Sequence, residues 1–152
     1  MSNFVGVHFM SKSDNWSTPT HVYNKLDDEF GFDFDPCPLI ADPSEIVDGL
    51  EMEWGRVNFC NPPYSQIASW VEKCFEQWQK GRMVVLLIPS RTDTRWWHDY
   101  IMQATEIRFI KGRLKFGAST ESAPFPSAVV VFGEVRSQPI VSSVSYKAVF
   151  SD

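Results

Sequence analysis

Residues 83–89 read M-V-V-L-L-I-P, seven positions without a charge or a hydrogen-bonding side chain. A strand with one wet face alternates apolar and polar residues. A strand that is apolar throughout is buried on both faces, as in sheets covered by helices on each side. Gly81 before the run and Pro89 at its end limit it to strand length. This stretch fixes the rest of the reading, because it requires helical layers above and below a sheet.

The neighbouring segments supply them. Ile67, Trp70, Val71, Cys74, Phe75 and Trp78 recur at helical spacing, which predicts a helix over 65–80 closed by Gly81. Val22, Leu26 and Phe30 do the same ahead of Gly31, with Thr18 expected as the helix cap and Pro19 at its first position. Trp96, Trp97, Tyr100 and Ile101 predict a helix over 93–104. Strands are expected at 32–37, where Phe32 and Phe34 alternate with acids before Pro36, and at 57–60, 106–110 and 127–133. Residues 113–116 read as a short strand, and 43–47 as one helical turn. Residues 1–15 read as a loose arm, 16–136 as the folded domain and 137–152 as an extension that can add a strand. Alternating strands and helices give a three-layer α/β fold with a mostly parallel sheet.

Composition narrows the class. The chain has 152 residues, enough for one domain with a real core, and 43% of them are hydrophobic. A net charge of −5 argues against a basic coat for nonspecific nucleic-acid binding, while leaving room for a local basic patch. Cys37, Cys60 and Cys74 are odd in number and match no zinc spacing, so they read as reduced thiols of a cytoplasmic protein. His8, His21 and His98 show no ligand spacing, and no metal site is expected. No signal peptide and no membrane span is expected. Asp27, Asp28 and Glu29 read as a solvated helix face.

In sheets of this kind, ligands bind at the carboxyl ends of the strands. Two of those ends carry unusual chemistry, D-P-C at 35–37 and N-P-P-Y at 61–64. Asn61 offers a side-chain oxygen and the next carbonyl lies on Pro62. Pro62 and Pro63 have no N–H and fix two successive φ angles. One reading is a plain proline turn after a strand. The other is a rigid, acceptor-rich pocket for a planar –NH2 group, whose nitrogen becomes nucleophilic when both protons are accepted. Tyr64 would then stack on the ring that bears the amine. The exocyclic amine of a nucleobase fits, provided that the base leaves the duplex stack.

N-P-P-Y resembles the catalytic motif of S-adenosylmethionine-dependent amino-group methyltransferases. W-S-T-P at 16–19, D-F-D-P-C at 33–37, D-G-L at 48–50, N-P-P-Y-S at 61–65, L-I-P-S-R-T-D-T-R-W at 87–96 and G-R-L-K-F at 112–116 follow one another. As an ordered set, covering roughly 14–133, they resemble the small phage-type DNA N6-adenine methyltransferases of the Dam-like family. The resemblance implies a minimal Rossmann-like sheet of the methyltransferase type, short of one or two strands. It implies S-adenosylmethionine as cofactor, double-stranded DNA as substrate, a monomer or homodimer, and a phage or prophage protein in a bacterial cytoplasm.

Carried over, Asn61, Pro62, Pro63 and Tyr64 would hold the target adenine. Trp16, Ser17, Thr18, Pro19, Asp35, Pro36, Cys37, Asp48 and Asn61 would meet the cofactor, although D-P-C-P-L-I lacks the glycines usual after the first strand. Apart from the resemblance, Arg91, Arg95, Lys111, Arg113 and Lys115 bracket two strand ends and read either as a phosphate-contacting patch or as ordinary solvated charge. Of the adjacent Trp96 and Trp97, one is expected in the core and the other, Trp96, as a wedge into DNA or a ring stacked on a base. The alternatives are transfer to another planar amine (cytosine N4, an RNA base or a glutamine amide) and a DNA-binding relative without catalysis.

Overall fold

In a computed structural model of the chain, which describes residues 17–38, 48–115 and 122–147, five strands form one sheet. They are β1 (Val57–Cys60), β2 (Met83–Pro89), β3 (Glu106–Lys111), β4 (Ser127–Phe132) and β5 (Ile140–Ser145), in the order β1-β2-β4-β3-β5. β1 pairs parallel with β2 and β5 parallel with β3, while β4 runs antiparallel to both of its neighbours. Four strands therefore point one way and β4 alone is reversed. The helices are α1 (Thr20–Phe30), α2 (Ile67–Gln79) and α3 (Arg95–Asp99).

Side chains of the central strands alternate strictly between two cores. Val84, Leu86 and Ile88 of β2, with Ala128, Val130 and Phe132 of β4, pack against Trp70, Val71 and Cys74 of α2 and Trp96 and Trp97 of α3. Val85, Leu87, Val129 and Val131 face the other way, onto Val22 and Leu26 of α1. The expected three layers are thus present, and β2 is buried on both faces as its composition requires. Each fully buried Val, Leu or Ile contributes about 1.5–3 kcal/mol, so β2 is a firm base for the four-residue β1 beside it.

The carboxyl ends of β1, β2, β3 and β5 and the start of β4 all lie on one rim. Phe34 joins that rim through a parallel bridge to Asn58. The strand expected at 32–37 is only this bridge. Asp33 explains why: its carboxylate accepts the Val57 N–H at 3.2 Å, a place a strand carbonyl would take, and Pro36 has no N–H to extend the ladder. Asn58, fully buried, stitches the other side of β1 by accepting from Gly55 N–H and donating to the carbonyls of Gly55 and Met83.

Other local expectations change too. Thr18 does not cap α1. Pro19 occupies the N-cap position with no side-chain bond, because the Thr18 hydroxyl is engaged elsewhere. Gly31 ends α1 as expected, in the left-handed region at φ 68°. The 27–29 acids are not merely a solvated face: Asp27 accepts the Phe32 N–H at 2.8 Å, and Glu29 pairs with Arg108 at 2.7 Å. The helix over 93–104 is α3 followed by a separate 3₁₀ turn at Ile101–Gln103, since Tyr100 leaves helical geometry at φ −120°. Residues 113–115 are not a strand, because Gly112 at φ 96° turns the chain out of β3. The turn expected at 43–47, the arm at 1–15 and Phe116 lie outside the described residues.

Gly49 locks the next segment to the rim. Its carbonyl accepts the Trp54 indole N–H at 2.7 Å. A Cβ at this position would stand 2.0 Å from the Pro36 carbonyl oxygen and 2.8 Å from the Trp70 ring. Gly49→Ala is therefore expected to destabilise the fold by about 1–3 kcal/mol. Denaturant titration measures this, and a variant as stable as the parent would contradict the close packing of 48–50 on D-P-C.

Candidate active site

Three separated segments meet at Asn61, the residue directly after β1. Its Nδ2 donates to Thr18 Oγ1 at 2.9 Å. Its backbone carbonyl accepts from the Cys37 thiol at 3.4 Å. With Nδ2 directed at Thr18, Oδ1 is the acceptor that the side chain presents. Asn61 is only 9% exposed, and Pro62 and Pro63 behind it are buried. Both peptide bonds are trans, and Pro63 is extended at φ −67°, ψ 141°, just before the 3₁₀ turn Tyr64–Gln66 that leads into α2.

A cavity of about 240 Å³ opens beside this junction, lined by Ser17, Thr18, Thr20, Tyr23, Asp35, Cys37, Phe59 and Asn61. Ser17, Thr18, Asp35, Cys37 and Asn61 were all expected from sequence and are brought together. Thr20 and Tyr23 come from the first turn of α1 and Phe59 from β1; none of these was anticipated. Their signal was only indirect: position 59 alternates with 58 and 60, and Tyr23 stands five residues after Thr18. Pro19 and Pro36 are buried beside the cavity without lining it, and half-buried Asp48 adjoins Gly49, which packs on Pro36. Trp16 lies outside the described residues.

Asp35 dominates the electrostatics of the cavity. Burial raises its carboxyl from the ordinary 3.8 to about 6, against the opposing pull of the Cys37 N–H that donates to Oδ1 at 3.0 Å. Burial also pushes the Cys37 and Cys60 thiols well up, so both stay protonated. Cys37 therefore acts as a donor to Asn61, and not as a nucleophile.

Tyr64 is half-buried and meets Phe125 edge-on, with ring centroids 5.0 Å apart. Phe125 precedes β4, so the reversed strand brings a second aromatic ring to the rim beside N-P-P-Y. Sequence reasoning missed Phe125 because it sits in what reads as a polar loop.

The expected DNA contacts divide into groups. Lys111, Arg113 and Lys115 line one cleft at the far end of the rim. Arg91 and Arg95 are exposed after β2, around the Thr94 hydroxyl that caps α3, and do not line that cleft. Trp96 is corrected: it is 8% exposed and packs in the core with Trp97 at 3%, their rings 6.0 Å apart. With Thr94 fixing the start of α3, both indoles turn inward and neither is available as a wedge.

The raised carboxyl of Asp35 has a stability consequence. The native state holds this proton to higher pH than the unfolded chain does, so stability falls as pH rises from about 4 to about 6 and stays lower above that. The shift corresponds to about 3 kcal/mol. Asp35→Asn is expected to match the parent at pH 4 and to exceed it by up to that amount at pH 7.5. Urea unfolding at the two pH values tests this, and an equal difference at both would contradict the burial of a charged Asp35.

Comparison with known proteins places this geometry in context. The sequence model of a family described as DNA N-6-adenine-methyltransferase (Dam) matches residues 8–151. A DNA N-6-adenine-methyltransferase of Escherichia phage T1 is 29% identical over 110 residues, covering 66% of this chain and 46% of that protein. Another, of Haemophilus phage HP1 (strain HP1c1), is 28% identical over 140 residues, covering 80% of each. The chain thus spans about half the length of the phage T1 relative and four fifths of the HP1 relative. A solved structure of a predicted O-methyltransferase from Agrobacterium tumefaciens is 14% identical, covers 70% of this chain and 48% of that one, and superposes with a TM-score of 0.38.

Proposed function

The chain belongs to the DNA N-6-adenine-methyltransferase (Dam) family, and on that premise we propose that it methylates the N6 amine of an adenine in double-stranded DNA, with S-adenosylmethionine as methyl donor. The observation that carries the reading is the junction at Asn61. One residue ties the Thr18 hydroxyl, the Cys37 thiol and the N-P-P-Y turn together in the lining of a cavity that also holds the half-buried Asp35 carboxylate.

The lining of that cavity fits the cofactor. Asp35 supplies a partly desolvated negative charge, suited to a cationic ligand. Ser17, Thr18 and Thr20 supply hydroxyls, and Tyr23 and Phe59 supply aromatic faces for an adenine ring. When bound, S-adenosylmethionine supplies an electrophilic methyl group on a sulfonium centre.

The residues on the target side orient the nucleophile. Asn61 Oδ1 and the Pro62 carbonyl accept hydrogen bonds from the two N–H groups of the adenine amine, which keeps electron density on the nitrogen for attack. The fixed φ angles of Pro62 and Pro63 hold both acceptors in place before the base arrives, so little reorganisation is needed. Tyr64, propped edge-on by Phe125, offers its ring to an adenine rotated out of the duplex. Catalysis then rests on orientation and electrostatics, without a covalent enzyme intermediate.

Asn61→Ala should lower kcat by about 10²-fold or more, while the loss of its bond to Thr18 costs about 1 kcal/mol of stability. Mass spectrometry of nucleosides from duplex DNA, RNA and protein incubated with the cofactor reads the product. N6-methyladenine from the parent and none from Asn61→Ala is the expected result. Product on cytosine, RNA or a glutamine amide would overturn the substrate, and full activity of Asn61→Ala would overturn the pocket.

A further inference from the structure

The cleft that holds Lys111, Arg113 and Lys115 measures about 600 Å³, and its remaining wall comes from unexpected places: His21 of α1 and Ser145, Tyr146 and Lys147 at the exit of β5. β3 and β5 are parallel with Lys111 opposite Ser145, so the two strands deliver their ends side by side. Gly112 then turns at φ 96°, which carries Arg113 to Lys115 along the rim. Among the described residues, four cations line the cleft and no carboxylate does.

Some cations elsewhere in the molecule are paired, although among the described residues Lys25, Arg56, Arg91 and Arg95 enter no ion pair either. Lys80 and Arg82 are neutralised by Glu53, and Arg108 by Glu29 and Glu106. Among the described residues, Lys111, Arg113, Lys115 and Lys147 enter no ion pair, although the chain carries a net −5. The scaffold beneath them is fixed. Arg113 Nη1 donates to the Ala123 carbonyl at 3.2 Å. The Tyr146 hydroxyl and His21 Nε2 lie 3.0 Å apart, their rings 5.5 Å apart, and Tyr146 packs on the α1 core. Unpaired cations on anchored backbone are what a polyanion needs, because each phosphate contact releases counterions while little chain order is lost.

We infer that the exit of β5, with Lys147 as its charge and the His21–Tyr146 pair as its anchor, forms the second wall of a cleft for the DNA phosphate backbone. The C-terminal strand is thereby part of the DNA-binding surface and not only an edge to the sheet. This rests on the DNA substrate proposed above and deepens it: α1 presents Thr20 and Tyr23 to the cofactor cavity and His21 to the phosphate cleft, so one helical turn serves both.

Fluorescence anisotropy of a labelled duplex, titrated with the full chain over a range of salt, tests the inference without requiring turnover. Lys147→Gln is expected to weaken binding of all sequences alike and to reduce the slope of log K against log salt by about 1. Lys147→Arg should restore both. Lys80→Gln, whose partner is Glu53, should leave the slope unchanged, as should every variant the melting temperature. If Lys147→Gln keeps the parental slope and affinity, the inference falls, whether or not Arg113→Gln changes them. If the slope drops but the parent makes no N6-methyladenine, the cleft stands and the methyl-transfer reading falls. A parent that binds no duplex at low salt overturns both.

Discussion

A single hydrogen bond of 2.9 Å, from Asn61 Nδ2 to Thr18 Oγ1, sets the geometry on which the site depends. It joins the segment entering α1 to the residue leaving β1, 43 positions apart. It also fixes the orientation of the amide, since a side chain whose nitrogen donates to Thr18 turns its oxygen the other way. The Cys37 thiol completes the junction by donating to the Asn61 carbonyl, and burial keeps that thiol protonated. Each of the three segments contributes a different donor or acceptor, and none could hold the position alone.

Strand direction explains why these segments can meet. With β1, β2, β3 and β5 aligned, every chain exit from those strands falls on the same rim, and the parallel bridge at Phe34 adds D-P-C to it. β4 runs the other way, so its entry, not its exit, lies there. That reversal brings Phe125 next to Tyr64. It also sets β3 and β5 beyond β4, where their exits build the basic cleft away from the cavity at Asn61.

Much of this was legible in the sequence, for physical reasons that can be named. The continuous apolar run at 83–89 and the stripe from Ile67 to Trp78 have periods that survive folding, and both formed as expected. The rigid turn at 61–64 was legible because proline constrains the backbone locally. What was not legible depended on partners distant in sequence. Thr18 has the features of a cap, but a long-range bond to Asn61 takes its hydroxyl. Residues 32–37 alternate like a strand, but Asp33 uses its side chain where the ladder needs a carbonyl. Trp96 looked available for DNA, but the Thr94 cap fixes the phase of α3 and turns both indoles inward. Tyr23, Phe59 and Phe125 are ordinary aromatics until tertiary packing aims them at the rim.

The sorting of charge along that rim is the last step. The end at Asn61 holds a half-buried carboxylate, Asp35, whose pKa desolvation raises to about 6. A cationic ligand would relieve that penalty by favouring the ionised form, so part of the binding free energy would come from a cost the fold itself sets. The other end holds four cations that have no carboxylate partner among the described residues, and a polyanion would relieve their mutual repulsion in the same way. First-turn residues of α1 line both ends. Among the described residues the rim thus carries charge of opposite sign at its two ends, and Asn61 and Pro62 adjoin the anionic one.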